Sequence, residues 1–292
     1  MATTDTTLAV DIGGTKLAVG RVDRAGLLTD RRAAPTPADG GPEPMWERLA
    51  ELVTAVRRGD EAVVGVGCGG PMEPDGRTVS PLNIPAWTRF PLHERLVGLT
   101  GLPVHVDNDA KALALGEGWV GAASGARDYI AMVVSTGVGG GIVLDGRLLD
   151  GAGGNAGHIG HVIVEPDGRI CGCGARGCLE AEASGTGIRA ATGAAPADAP
   201  DEVRRRTGTL VGRAVASVVN LLDLRLAVVA GSVALGYGDT FFAAAQAELD
   251  ARSRIEFGRG ARIVPAGLGD AGPLVGAAAV GLRGEGHDIG VG

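Results

Sequence analysis

Three of the four cysteines in the chain, Cys171, Cys173 and Cys178, fall within a run of eight residues, with His158 and His161 just upstream and Glu180 just after. Three thiolates in a C-x-C-x4-C turn and one nearby imidazole form the donor set of a closed tetrahedral zinc site, which is structural because no coordination position is left for a substrate. Polar residues that are not donors interleave with the ligands, so a metal that folds this loop also aims them. A second cluster, Asp107-Asn108-Asp109, sets two carboxylates around an amide at a strand-to-helix junction, where open α/β sheets place ligands. Asp109 has an alternative role there as a helix N-cap. The third is Asp11 with Gly13-Gly14-Thr15-Lys16. A Gly turn exposes backbone N–H groups that suit a phosphate, and an acid at the strand end can hold a hydrated Mg²⁺. The alternative is an ordinary hairpin with a capping Asp.

Strands must present these turns. Residues 8–12 and 17–22 read as buried strands paired across the Gly turn. Residues 129–134, the turn Ser135-Thr136-Gly137-Val138-Gly139-Gly140-Gly141 and residues 142–144 repeat that arrangement about 124 residues later, as an internal duplication would. Two such turns facing each other across a cleft can hold two ends of a polyphosphate. Apolar spacing predicts helices over 44–58, 110–120, 203–222, 238–252 and 272–282, and strands over 63–68, 103–106, 226–230 and 262–265. Residues 80–87 form an ordered loop in which Asn83 can bind a hydroxyl or form a turn. Cys68 reads as a small core residue. Gly231 opens a third Gly turn at a strand end, suited to the nucleoside side of a cofactor. Lys111, His105 and Trp119 read as surface or packing residues, residues 190–201 as a loop and the tail from Arg283 as frayed.

Composition narrows the class. At 292 residues there is room for two domains, and with 45% hydrophobic but 3% aromatic residues the core must be aliphatic. A net charge of −7, with no basic run longer than Arg204-Arg205-Arg206, argues against a nucleic-acid surface. No apolar stretch reaches the roughly 18 residues of a membrane span, and no leader pattern is read, so a cytoplasmic protein is expected. Clustered thiols there are metal ligands more readily than disulfides.

Five motifs in order, DIGGTK (Asp11 to Lys16), VDNDA (Val106 to Ala110), STGVGGGIV (Ser135 to Val143), AGHIGH (Ala156 to His161) and CGCGARGCLE (Cys171 to Glu180), make the chain similar to the ROK sugar kinases (repressor, open reading frame, kinase) of the actin-like ATPase superfamily. The resemblance implies a two-domain α/β, ribonuclease H-like fold with a cleft and a structural zinc loop. The smaller domain would take residues 1–107 plus about 273–292, and the larger 108–272. It implies ATP, Mg²⁺ and structural Zn²⁺, a hexose partner and a homodimer or homotetramer. By position, Asp109 matches the catalytic base, Asn83, Asn108, His158, His161 and Glu180 the sugar-binding positions, and His161, Cys171, Cys173 and Cys178 the zinc ligands. Asp11 lies near the Mg²⁺. Gly13, Gly14, Thr15, Lys16, Thr136, Gly137, Gly139 and Gly140 match the phosphate turns, and Gly231 the nucleoside side.

One position departs from that family. Its motif is A-G-E-x-G-H, and His158 stands where the Glu accepts sugar hydroxyls. A neutral imidazole accepts one hydrogen bond against the carboxylate's several, so sugar choice is altered at this residue. The expected activity is phosphorylation of a hexose at the 6-hydroxyl, glucose first, with mannose, allose or an N-acetylhexosamine as alternatives. A non-catalytic sugar sensor is the alternative from another class; its N-terminal helix-turn-helix is not expected, since the first strand starts by Leu8. A polyphosphate-using kinase is a third, for which no basic cluster is found.

Overall fold

The structure, a computed structural model, describes residues 6–37 and 40–291. In β1 (Thr6–Ile12) the large residues Leu8, Val10 and Ile12 join one core, while Ala9 joins another on the opposite face. Strand alternation puts Asp11 on the Ala9 side. β1 pairs antiparallel with β2 (Lys16–Asp23), which pairs antiparallel with β3 (Leu28–Pro35). After α1 (Pro42–Val56) comes β4 (Glu61–Cys68), parallel to β1, and after α2 (Leu92–Thr100) comes β5 (Val104–Asn108), parallel to β4. α3 (Asp109–Val120) follows without a break. The sheet order is β3-β2-β1-β4-β5, and α1 lays Met45, Leu49, Leu52, Val53 and Val56 on its large-residue face.

A second sheet is built from β6 (Tyr129–Val134), β7 (Val138–Leu144) and β8 (Arg147–Leu148). Then come α4 (Leu179–Ala183), α5 (Gly185–Thr192), α6 (Asp201–Leu222), β9 (Leu226–Ala230), α7 (Ser232–Arg252) and β10 (Arg262–Pro265). Its order is β10-β9-β6-β7-β8. Matching β6 to β1, β7 to β2, β8 to β3, β9 to β4 and β10 to β5 reproduces the order and every parallel or antiparallel sense of the first sheet. The duplication seen in two Gly turns therefore extends to whole sheets. α8 (Gly272–Gly284) closes the chain against the small-residue face of the first sheet, where Leu274, Ala277 and Ala278 meet Ala9, Ala18 and Val22.

Two compact units result. Unit 1 holds the described residues up to Gly125, then Asp150–Asn155 and those from Leu268 onward; unit 2 holds Ala126–Leu149 and Ala156–Gly267. The division expected after residue 107 falls instead after Gly125, because α3 packs on α8 and β4 of the first sheet. Other expectations also shift. β3 and α2 were not anticipated. The N-cap of α3 is Asn108, not Asp109, and the third Gly turn runs directly into α7 at Ser232, with Gly238 left non-helical inside that helix. Ile289 and Val291 are buried, so the tail is packed rather than frayed. Among the described residues no helix is long and apolar enough to cross a membrane.

The small-residue face is a tight constraint. A Cβ on Gly65 would lie 1.9 Å from the carbonyl oxygen of Ala277. Gly65→Ala must push α8 off β4, and overpacking of this kind costs about 1–3 kcal/mol. Urea denaturation should show a lower midpoint with an unchanged slope, and an unchanged midpoint would contradict this packing.

Candidate functional site

Unit 1 gathers one set of the candidate residues at the carboxyl ends of β1, β4 and β5. The first Gly turn is tight: Gly13 N–H donates to the Lys16 carbonyl at 3.0 Å, and the Thr36 hydroxyl donates to the Gly13 carbonyl at 2.7 Å. Thr15 and Lys16 are exposed. Asn83 lies against the turn, where a Cβ on Gly14 would be 2.9 Å from its Nδ2. Its Oδ1 comes close to Gly69, and the Asn108 Nδ2 comes close to Gly70, so the loop after β4 links the two amides. At the start of α3, Asn108 Oδ1 and Asp109 Oδ1 both accept from the Ala110 N–H, at 3.0 and 2.8 Å. The base candidate and the cap therefore share one helix N–H, and Asp109 is exposed.

Asp11 faces this helix end. Burial, and then the charge of Asp109, push its carboxyl up from 3.8 to about 7, against the pull of Lys16 and Arg31. A buried carboxyl facing a second acid is also a place where a divalent cation is favoured.

Unit 2 gathers the rest around the second Gly turn. The Ser135 N–H donates to the Gly137 carbonyl at 2.9 Å, and the loop carrying AGHIGH presses on β7. A Cβ on Gly157, whose φ is +101°, would lie 2.3 Å from the Gly140 carbonyl oxygen, and one on Gly160 would lie 2.3 Å from that of Val138. Thr136 is exposed, and Gly139 is half-buried in β7. Gly231, at φ +101°, sits beside the backbone of Val134, and the Ser232 and Ser135 hydroxyls are 3.0 Å apart. Glu180, in the first turn of α4, accepts from the Val138 N–H at 2.9 Å.

The four metal-ligand candidates come together. One donor atom from each of His161, Cys171, Cys173 and Cys178 lies within 4.8 Å of the others. Cys173 and Cys178 sulfurs are 3.7 Å apart, and Cys171 Sγ is 3.8 Å from His161 Nδ1. A tetrahedron with Zn–S bonds of about 2.3 Å has edges of about 3.8 Å, whereas a disulfide needs about 2.05 Å. Burial pushes the Cys178 thiol up to about 12, so a neighbouring dication would be needed to hold it as a thiolate ligand at neutral pH. His158 is exposed, 6.0 Å ring to ring from His161, and is not one of the four.

A family model described as ROK family matches residues 7–283. The chain belongs to the ROK family. An N-acetylmannosamine kinase from Citrobacter koseri is 42% identical over 247 residues, covering 80% of this ROK chain and 85% of the relative. The crystal structure of a ROK family glucokinase from Streptomyces griseus in complex with glucose and AMPPNP matches 95% of this chain and 99% of its own at a TM-score of 0.83 and 31% identity. A ROK hexokinase from Thermus thermophilus matches 96% and 99% at a TM-score of 0.79 and 34% identity.

One residue of this ROK protein does more than its sequence context suggested. Lys111, taken as a surface or packing residue, is 3% exposed. Its Nζ donates to Asp150 Oδ1 at 2.6 Å and to the Gly154 carbonyl at 3.1 Å, and lies 3.5 Å from Asp107. Arg283 reaches the same two acids, at 3.2 Å to Asp150 and 3.8 Å to Asp107. The Asp107–Lys111 spacing of i,i+4 was the available signal. These ion pairs fix Asp150–Asn155, the segment that leads into AGHIGH, onto unit 1.

Two outcomes are expected. Because folded Asp11 keeps its proton up to about 7 while the unfolded chain releases it near 3.8, its contribution to stability falls as pH rises between those values. The Tm of the Mg²⁺-free protein should fall over that range, and Asp11→Asn should flatten the profile; an unchanged slope contradicts the raised carboxyl. Removing the metal-ligand set by Cys173→Ser or chelation should lower Tm by about 5 °C or more, and an unchanged Tm would mean that no metal binds there.

Proposed function

We propose that this chain is an ATP-dependent sugar kinase whose acceptor is an N-acetylated hexosamine, N-acetylmannosamine first. The observation that carries the sugar choice is its 42% identity with an N-acetylmannosamine kinase, together with His158 in AGHIGH where a carboxylate was expected. Glucose becomes the second reading, favoured by the likeness to the Streptomyces griseus glucokinase.

In this reading Asp109 takes the proton of the sugar's primary hydroxyl as that oxygen attacks the γ-phosphorus. The new O–P bond forms as the bond to the β–γ bridging oxygen breaks and ADP leaves. Its exposure and its place at the first turn of α3 support the role, since the helix N-terminus favours the ionised form. Asp11 would hold Mg²⁺ through water. Gly13, Gly14, Thr15 and Lys16 would cradle one part of the triphosphate, Thr136, Gly137, Gly139 and Gly140 another, and Gly231 would lie on the nucleoside side. Asn83, Asn108, His158, His161 and Glu180 would contact sugar hydroxyls. Zinc at His161, Cys171, Cys173 and Cys178 would hold the recognition loop and take no step in the chemistry.

A coupled ADP-release assay over N-acetylmannosamine, N-acetylglucosamine, glucose, mannose and allose tests this reading. N-acetylmannosamine should give the highest kcat/KM, and turnover with no sugar in the panel would favour the sensor reading. Asp109→Asn should lower kcat by about a thousandfold or more while sugar affinity stays within about twofold. Near-normal turnover in that variant would remove the base assignment.

A further inference from the structure

Glu180 binds more than its expected partner. Its Oε2 accepts from the Val138 N–H at 2.9 Å, and a Cβ on Gly137 would lie 2.8 Å from that same oxygen. The residue before Val138 must therefore lack a side chain for the carboxylate to reach the turn. Downstream residues pin the two positions before it: Gly185 N–H donates to the Ser135 carbonyl at 2.7 Å, and Thr186 donates to the Thr136 carbonyl through its N–H at 3.2 Å and its hydroxyl at 2.9 Å. Upstream, α4 starts just after Cys178 and is anchored by Leu179 N–H on the Val162 carbonyl at 2.9 Å. One short stretch, from a metal-ligand candidate to Thr186, thus fixes the backbone of the phosphate turn from Ser135 to Val138.

We propose that Glu180 is a positioning residue for the phosphate donor: its carboxylate aims the Ser135–Val138 turn through the Val138 N–H, so that one side chain ties acceptor-sugar recognition to donor binding. The proposal rests on the sugar-kinase reading above. A carboxylate has about four lone-pair sites, and among the described residues the second oxygen accepts no hydrogen bond. A sugar hydroxyl donating there narrows the rotamers of Glu180 and stiffens the turn. The same donation disperses negative charge beside the place where a phosphate binds. Both effects tighten the donor, and linkage requires that the donor tighten the sugar by the same factor.

The test is binding of AMPPNP with Mg²⁺, by calorimetry, to the full chain without any sugar. Glu180→Ala frees the Val138 N–H and should weaken AMPPNP about fivefold. Glu180→Gln keeps an acceptor for that N–H and should bind AMPPNP within about twofold of wild type. Gly137→Ala, whose Cβ has the Glu180 carboxylate as its sole close neighbour, should match the loss in Glu180→Ala, and the double variant should be no worse than either single one. A merely structural role would weaken all variants in step with their Tm. Unchanged affinity in Glu180→Ala, or equal losses in the Ala and Gln variants, overturns the proposal; if Glu180→Ala does not fold, an unchanged affinity in Gly137→Ala does so. A wild-type protein that binds no AMPPNP would instead overturn the kinase reading.

Discussion

Backbone meeting backbone, with no room for a single methyl group between, is the constraint on which most of this structure depends. α8 can cover the first sheet because β4 offers Gly65 to Ala277. α6 and α7 approach in the same way, with Gly208 against the Phe241 carbonyl and Gly212 against that of Ala245. The AGHIGH loop reaches β7 through Gly157 and Gly160. Interiors close-pack, so a chain with 3% aromatic residues fills its core by bringing elements nearer rather than by enlarging side chains. The 51 glycines are part of that solution as much as they are turn formers.

The charged residues follow a related logic. Cations accompany two of the buried carboxylates: Glu182, nearly fully buried, accepts from the Arg169 N–H and from the Arg206 guanidinium, bracing the cysteine loop independently of the sulfurs. Glu61 meets Arg21 in the same manner. At the end of β1 the arrangement differs, since burial and the Asp109 charge act together on Asp11 and the cations Lys16 and Arg31 only partly compensate. Such imbalance is tolerated where a ligand restores neutrality, which agrees with the proposed Mg²⁺ role of Asp11.

Much of the candidate site was legible because its chemistry lies in short runs: DIGGTK, STGVGGGIV and the C-x-C-x4-C turn each hold their residues within one turn or loop, and the structure brings the three sulfurs of the last together with the His161 imidazole. Elements whose residues do not alternate were harder. β3 reads LTDRRAAP and lies at the edge of its sheet with most residues at least partly exposed, so no buried face marks it. α2 was hidden by the loop before it, whose Ile84, Trp87 and Phe90 are as buried as core residues. The two hydrogen-bond partners of Lys111, Asp150 and the Gly154 carbonyl, lie 39 and 43 positions away, a distance over which sequence spacing says nothing. The extent of unit 1 escaped notice for a similar reason, since α3 follows β5 without a break but belongs by packing to the sheet it has just left.

The segment Asp150–Asn155 bears on how such a chain is made. Unit 1 consists of three segments and unit 2 of two, so the polypeptide passes between them four times. Domains commonly finish in the order they leave the ribosome. Here the order is inverted: the part of the small-residue face that α8 covers stays open until α8 has been synthesised, after every residue of unit 2. The N-terminal unit is the last to be completed, and a nascent chain halted before Gly272 would present that bare alanine-lined face to chaperones while its other half was already folded.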